Sequence, residues 1–261
     1  MHFYSLPFCK VAKKKKKQSA SLFLLLLLMI IVAALIIFYF SRTRFVRYPA
    51  FGIDIPTAYS IHGIDVSHYQ KEIDWKEVKQ MQVKKIAVGF SFIKATEGTA
   101  DVDGAFYKNW KNIKKAGIVR GAYHFFNPYR SGKLQAENFI RNVKLKTGDL
   151  PPVLDVEGAG VLSKEALQQQ VADWLQKTEQ HYHTKPIIYT GAVFYTTYFA
   201  GRFDDYPLWV AHYLVKDKPR VQRKWLFWQH NELGHVNGID AYVDFNVFNG
   251  DSTVFNNLLL K

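Results

Sequence analysis

After an N-terminal segment with a different pattern, short apolar runs alternate with amphipathic stretches along the chain. Eight apolar runs, rich in β-branched and aromatic residues, predict β-strands. They lie at residues 61–67, 84–95, 118–126, 151–157, 185–190, 207–213, 225–230 and 242–248. Helical patterns occupy the intervals between the first six runs, at residues 75–83, 105–116, 133–143, 163–181 and, more briefly, 193–201. The connections between the last three runs are too short or too polar for a good helix.

This alternation of strand and helix predicts an α/β fold with a mostly parallel sheet. Eight strands within about 190 residues favour a closed barrel over an open sheet. Several runs are apolar on both faces, as expected for barrel strands that helices cover. Because helices are lost near the end, we predict an irregular TIM-like (β/α) barrel over residues 61–261, with eight strands and about five outer helices.

The N-terminal segment contains an uncharged apolar run of 19 residues, at positions 22–40, with six lysines before it and three arginines after it. As a helix the run spans about 28 Å, which matches a bilayer core. A cleaved signal peptide is the alternative, but the run is longer than the usual apolar region and has no small-x-small cleavage site. We therefore expect a signal anchor at residues 21–41, between a basic cytoplasmic tail (1–20) and a stalk (42–60).

The charge distribution follows this division. Nine of the 35 basic residues and none of the 22 acidic residues precede Tyr48, so the net charge falls from +13 for the chain to +4 for the remainder. A charge of that size is ordinary for one domain, and we expect no nucleic-acid partner.

The lysine-rich side of the apolar run should be cytoplasmic, which places the barrel in a periplasm or at the cell exterior. Cys9 is the single cysteine, so the outer domain can form no internal disulfide.

Carboxylates recur at the ends of the predicted strands, where parallel α/β folds build their active sites. Asp65 is near the end of the first run, Asp155 and Glu157 end the fourth, and Asp244 lies in the eighth. Residues two apart on a strand share a face, with Cα atoms about 7 Å apart, so Asp155 and Glu157 form a pair. The alternatives are a helix cap or a buried ion pair for these two, and a turn position for Asp65 or Asp244.

Aromatic residues surround the same strand ends and suit stacking on sugar rings, although most aromatic residues in a barrel belong to its core. The candidates for substrate binding are Tyr123, Phe125, Tyr189, Trp209, Tyr213 and Trp228. Paired carboxylates with flanking aromatic rings indicate glycoside hydrolysis. A metal site, for example in a deacetylase, is the competing use of these strand ends. The nearby histidines show no close ligand spacing, so we expect neither a metal nor another cofactor.

The motifs GIDVSHYQ, FSFIKATEG, GAYHFF, PPVLDVE, LWVAHY, FWQH and VDFNVF occur in an order that resembles glycoside hydrolase family 25, the Chalaropsis-type lysozymes. The resemblance runs from about residue 61 to residue 248. It implies an irregular β/α barrel that cleaves the β(1,4) bond after N-acetylmuramic acid in peptidoglycan. By motif match, Glu157 takes the general-acid position and Asp155 its partner, while Asp65 and Asp244 match two further aspartates of the cleft.

The resemblance also bears on sugar contacts and mechanism. Tyr123 and Tyr189 match family aromatics near the sugar. The two-residue spacing of Asp155 and Glu157 does not place a nucleophile about 5 Å from the acid on the opposite side of the sugar, as a standard retaining enzyme requires. Similarity to other DxE pairs instead implies help from the substrate's own 2-acetamido group. A non-catalytic, membrane-anchored peptidoglycan-binding module is the alternative function.

Overall fold

The computed structural model describes residues 1–4, 14–41 and 45–261, with side chains described for residues 1–4, 21–39 and 45–261. The chain divides into two compact units, Met1–Arg42 and Thr43–Lys261. Residues 5–13 of the predicted basic tail and residues 42–44 of the predicted stalk lie outside the described residues.

The first unit contains one described helix, α1 (Lys14–Ser41). Its stretch Ser21–Tyr39 has a hydropathy of 3.3, and none of that stretch is buried. It is therefore long and apolar enough to cross a membrane. A signal sequence near the N-terminus meets the same criterion, so this helix is either a signal sequence or an anchor.

The second unit is built from short strands and the helices around them. The strands in chain order are β1 (Phe45–Tyr48), β2 (Ile53–Pro56), β3 (Ile61–Val66), β4 (Gln82–Val83), β5 (Ile86–Glu97), β6 (Asp101–Val102), β7 (Val119–Phe125), β8 (Val153–Asp155), β9 (Ile187–Gly191), β10 (Leu208–Ala211), β11 (Phe227–Val236) and β12 (Ile239–Phe248). The helices are α2 (Trp75–Gln80), α3 (Phe106–Lys115), α4 (Gly132–Asn142), α5 (Lys164–Tyr182), α6 (Ala192–Phe194), which continues into a π-helical turn (Tyr195–Phe199), and α7 (Ser252–Leu258). Short 3₁₀ turns occur at Pro49–Phe51 and His68–Gln70.

Eight of these strands close into a barrel in the order β3-β12-β11-β10-β9-β8-β7-β5, and β5 pairs back with β3. β12 is antiparallel to both of its neighbours, whereas the other pairings around the ring are parallel. The predicted closed α/β barrel and its eight strands are confirmed. The polar extension of β11 to Val236 and the C-terminal helix α7 were not predicted.

Aromatic side chains fill the interior of the barrel. The ring of Phe92 stacks on Trp209 with centroids 4.3 Å apart, and Phe227 meets both Phe90 and Phe92 edge-on at 5.1 Å. Gly63 of β3 allows this packing, because a Cβ atom there would lie 2.5 Å from the ring of Phe90. The interior is therefore a packed core, and Trp209 extends that core up to the end of the barrel where β10 finishes.

Residues 45–56, within the range expected to be a stalk, form a β-hairpin that packs on the barrel. β1 and β2 pair antiparallel through a 3₁₀ turn. Phe51 is fully buried and its ring lies 5.3 Å from that of Phe245, while Phe45 lies 5.9 Å from Trp228. The hairpin thus covers the outer side of β11 and β12. Within the described chain, no helix lies between β10 and β12, so the hairpin takes the place of an outer helix there.

We expect Phe51→Ala to destabilise residues 45–261 by about 3–5 kcal/mol, the usual loss on truncating a fully buried phenylalanine. Urea unfolding followed by tryptophan fluorescence measures the change. Val46→Ala alters an exposed position of the same hairpin and is the control, with an expected change within about 0.5 kcal/mol. An equally small effect of Phe51→Ala would show that the hairpin contributes nothing to the stability of the barrel.

Candidate active site

Four carboxyl side chains meet at the end of the barrel where β3 and β8 finish. Asp155 is the last residue of β8, and Glu157 follows it by two positions. Asp65, near the end of β3, faces Asp244 in the antiparallel ladder with β12. All four line one cavity of about 240 Å³. The structure therefore brings together the four residues that the sequence proposes as catalytic.

Asp65 is buried, and its Oδ2 accepts hydrogen bonds from two side-chain amides. Asn246 Nδ2 donates at 2.7 Å and Gln229 Nε2 donates at 2.8 Å. The orientation of the Asn246 amide is fixed by Trp209, whose indole N–H can only donate and bonds Asn246 Oδ1 at 2.8 Å. Because both amides present N–H groups to the same oxygen, they stabilise the ionised form of Asp65.

Two tyrosines orient the Gln229 amide in the same way. The hydroxyl of Tyr189 donates to Gln229 Oε1 at 2.8 Å, and the hydroxyl of Tyr213 donates to the same oxygen. The Nε2 group is then left to face Asp65. Tyr189 and Tyr213, both predicted to bind sugar, therefore also hold the carboxylate network in place.

Asp65 and Asp244 lie opposite each other on β3 and β12, so the ionisation of one opposes that of the other. Burial, and next the charge of Asp65, raise the pKa of Asp244 to about 9. Burial also raises the pKa of Asp65, but only to about 6, because the bonds from Asn246 and Gln229 oppose the rise. Burial and the charge of Asp65 thus favour the protonated form of Asp244, whereas the two amides favour the ionised form of Asp65.

Asp155 is buried and carries an oxygen without a partner. Its Oδ1 makes no hydrogen bond to any described residue. Burial, followed by the charges of Glu157 and Asp65, raises the pKa of this carboxyl well above its usual range, and Lys94 opposes the rise. The Lys94 ammonium also bonds Glu97 at 2.7 Å. An unsatisfied buried acceptor on a cavity wall is a site where an N–H group of a ligand can bind.

Five of the six aromatic residues predicted to bind sugar line the cavity, namely Tyr123, Phe125, Tyr189, Trp209 and Tyr213. Trp228 does not, and the structure contradicts that prediction. Its ring is fully buried beside Trp225 and Phe45, and its indole N–H donates to the backbone carbonyl of His212. Side chains alternate between the two faces of a strand, so Trp228 points outward where the next residue, Gln229, points inward.

Two of the histidines near the strand ends, His124 and His68, have partners away from the carboxyl cavity. His124 lies within hydrogen-bond distance of Thr96 and Gln135, at 2.7 and 3.2 Å, and His68 lies 2.7 Å from Asp103. Neither histidine lines the carboxyl cavity. In the described parts of the chain, no group of three or more His, Cys, Asp or Glu residues could hold a metal ion.

The sequence-based prediction does not include Gln229, Asn246, Lys94 or Glu232, which line the cavity or bond its carboxylates. A signal for Asn246 is present, because it follows Asp244 by two residues on one strand and therefore shares its face. Lys94 lies in the motif FSFIKATEG and Gln229 in the motif FWQH, but neither residue was assigned a role there, and Glu232 lies outside every motif.

Because burial raises the pKa of Asp244, folding stability should fall as the pH rises. A carboxyl whose pKa is about 9 when folded and 3.8 when unfolded binds more protons in the folded state between these values, so stability is lost from about pH 4 up to pH 9. Asp244→Asn keeps an N–H donor toward Asp65 and removes this titration. At pH 8 the Tm of the variant should exceed that of wild type by about 2–4 °C for each kcal/mol of stability gained. The difference in Tm should be smaller at pH 4.

Thermal unfolding across this pH range measures the effect. Asp240→Asn changes an exposed carboxyl of the same strand and is the control. An identical pH dependence in wild type and Asp244→Asn would contradict the raised pKa of Asp244.

Comparison with known proteins places this barrel in a family. The model for Glycosyl hydrolases family 25 matches residues 64–239. The uncharacterized protein YegX of Escherichia coli K12 is 49% identical over 201 residues, which cover 77% of this chain and 74% of YegX. Lysozyme M1 of Streptomyces globisporus is 37% identical over 207 residues, which cover 74% of this chain and 69% of that lysozyme.

A solved structure supports the same assignment. The family 25 glycosyl hydrolase from Bacillus anthracis superposes with a TM-score of 0.73 and 37% sequence identity. The match covers 79% of this chain and 96% of the other, so nearly the whole of that protein corresponds to the barrel. The chain belongs to glycosyl hydrolase family 25.

Proposed function

We propose that the chain is a lysozyme-like muramidase, which hydrolyses the β(1,4) bond between N-acetylmuramic acid and N-acetylglucosamine in peptidoglycan. The observation that carries the proposal is the Asp155 and Glu157 pair beside a cavity that Asp65 and Asp244 also line. A relative named as a lysozyme supports the choice of substrate.

In this proposal the exposed Glu157 supplies the proton and the buried Asp155 binds the acetamide. Glu157 protonates the bridging oxygen, which takes the electron pair as its bond to C1 of the muramic sugar breaks. The acetamide oxygen of that sugar bonds to C1, and the N–H of the resulting oxazolinium ring bonds Asp155. Water then adds to C1, the ring opens, and a proton returns to Glu157. One water molecule is consumed and both carboxyls return to their starting states.

The electrostatics of the cavity favour such a cationic intermediate. Lys94 is the only basic side chain among the described residues that line the cavity, against five carboxyls. Positive charge that develops on the sugar therefore meets Asp65, whose ionised form two amide hydrogen bonds stabilise, while the raised pKa values of Asp155 and Asp244 favour their neutral forms. An interaction that is stronger in the transition state than in the bound substrate raises the rate of the chemical step.

Product analysis of purified peptidoglycan, treated with residues 45–261, tests the activity. New reducing ends at N-acetylmuramic acid should appear, and chelator should not reduce them. Glu157→Gln should lower the rate of hydrolysis by about 10²–10⁴-fold, because it removes the proton donor. The variant protein should still sediment with the wall. Glu165→Gln, an exposed glutamate of α5, is the matched control and should retain the wild-type rate.

Three results would contradict parts of this proposal. A wild-type protein that sediments with the wall and releases nothing would be a binding module. Loss of activity with chelator would favour a metal-dependent deacetylase. A glycosyl ester trapped on Asp155 or Glu157, detected by mass spectrometry, would exclude the acetamide route.

We also propose that α1 is a retained single-pass anchor and that the barrel lies in the periplasm or outside the cell. The segments are then a cytoplasmic tail (1–20), an anchor (21–41), a connection (42–60) and a catalytic domain (61–261). The length of the apolar run and its preceding lysines support this arrangement. The packing of residues 45–56 shows that most of the connection is folded onto the barrel.

The anchor can be tested with the full chain carrying a C-terminal tag. The protein should remain in the membrane fraction after a carbonate wash, with an intact mass that includes the N-terminal lysines. Leu26→Arg places a charge within the apolar run and should reduce membrane insertion, at a cost of about 2.5–3.5 kcal/mol. A soluble product that begins after residue 41 would instead establish a cleaved signal sequence.

A further inference from the structure

The loop between β10 and β11, residues 214–224, carries the net positive charge of the barrel domain. Of the 26 basic and 22 acidic residues from Tyr48 onward, the loop contains five and one, so the rest of that stretch holds 21 of each. Arg223 binds the barrel, because its guanidinium donates to the backbone carbonyls of Phe203 and Tyr206. The other four basic side chains are exposed and form no ion pair with a described residue, and these are Lys216, Lys218, Arg220 and Lys224. An uncompensated positive segment of this kind attracts anionic surfaces.

Contacts with the barrel fix the path of this loop. The backbone N–H of Arg220 donates to Nδ1 of His212 at 3.1 Å, and the indole N–H of Trp228 donates to the carbonyl oxygen of the same histidine. Pro219 within the loop and Trp225 directly after it are buried. The exposed basic side chains are therefore held on an ordered backbone.

Leu214, the first residue of the loop, is apolar and 99% exposed. Its φ of +57° lies in the left-handed region, which is strained for a leucine. Neither the strain nor the exposure stabilises the barrel. Apolar side chains next to basic ones are the combination that binds an anionic bilayer, since the apolar group enters the interface and the cations bind the headgroups.

The start of the loop lies beside the point where the chain enters the barrel domain. Phe45 of the hairpin and Leu214 and Lys216 of the loop line one cavity of about 290 Å³. Asp54 also lines it, and its charge is offset by Arg47 at 3.9 Å. Phe45 follows the last residue of α1 by four positions, which span at most about 14 Å. With α1 as an anchor, the loop would therefore lie near the membrane surface.

We propose that residues 214–224 dock on the surface of an anionic phospholipid bilayer. Leu214 enters the interface, and the four exposed basic side chains bind lipid phosphates. The proposal rests on the proposed anchor, which brings the loop to that surface. Tethering raises the effective concentration of the loop at the membrane, so contacts too weak to recruit a soluble protein become populated.

Docking of the loop would also position the carboxyl cavity. Tyr213 lines that cavity, and its hydroxyl donates to Gln229. Leu214 is the next residue along the chain. The mouth of the cavity is therefore close to the docked surface, and glycan next to the membrane is the substrate within its reach.

Vesicle binding by residues 45–261, which lack α1, isolates the contribution of the loop. Residues 43–261 form a compact unit of their own, and urea unfolding confirms the fold of each variant. The protein should sediment with vesicles of equal parts phosphatidylglycerol and phosphatidylcholine at low salt, and not with phosphatidylcholine alone. Combining Lys216→Gln, Lys218→Gln, Arg220→Gln and Lys224→Gln should weaken binding at least about tenfold.

A matched control removes the same charge from another basic surface, the groove around Trp110. It should bind vesicles like wild type, and it combines Lys111→Gln, Lys114→Gln, Lys144→Gln and Lys146→Gln. Leu214→Asn places a residue that tolerates the left-handed region and should weaken binding at least about threefold. Leu134→Asn, at an exposed leucine of α4, should leave binding unchanged.

Three results would overturn the proposal. The first is an absence of binding to the phosphatidylglycerol vesicles. The second is an equal loss of binding in both charge variants, which would show that net charge alone drives it. The third is equal affinity for soluble polyphosphate with no effect of Leu214→Asn, which would identify a soluble polyanion as the partner. The measurement uses neither glycan nor α1, so failure of the muramidase or of the anchor appears in its own test, and vesicle binding would still support the role of the loop.

Discussion

The two amide hydrogen bonds to Asp65 are the interaction on which the rest of the site depends. Several carboxyls within one small cavity repel each other, and they can be buried only where donors or protons offset their charge. Asn246 and Gln229 supply the donors for Asp65, and the raised pKa of Asp244 favours the neutral form of that neighbour. Trp209 connects this network to the barrel core, because its ring packs inside while its N–H orients Asn246. The aromatic core and the charge state of the site are therefore coupled.

The reversed direction of β12 brings these groups together. In a barrel of parallel strands only, functional residues come from the carboxyl ends of the strands. Because β12 runs in the opposite direction, its first half lies at the carboxyl end of β3. Asp244 therefore faces Asp65 across an antiparallel ladder. Asn246 follows on the same face and reaches the same carboxylate. The irregular, helix-poor part of the ring thus supplies one carboxyl and one amide of the site.

Much of this architecture could be predicted from the sequence, because apolar runs mark barrel strands strongly and the carboxylates sit within them. The outward position of Trp228 could not, because the run WLFWQH is apolar on both faces and gives no sign of which face is inward. The hairpin at residues 45–56 was not predicted from the sequence for a different reason. The buried residues Phe51, Ile53 and Ile55 alternate as in a strand, but the segment is short and lies next to the apolar N-terminal run. Gln229 lies in the motif FWQH, but an amide in a strand carries no chemical signature of its own, and only the folded network reveals its role.

The hairpin at residues 45–56 also limits how the barrel could be separated from the N-terminal helix by proteolysis. A cut before Phe45 would leave the hairpin on the barrel and release an intact domain. A cut between the hairpin and β3 would release Phe45 and Phe51 from the rings of Trp228 and Phe245 and expose apolar surface to water. Shedding of a stable, soluble form would thus require a protease that acts within the few residues just after Ser41.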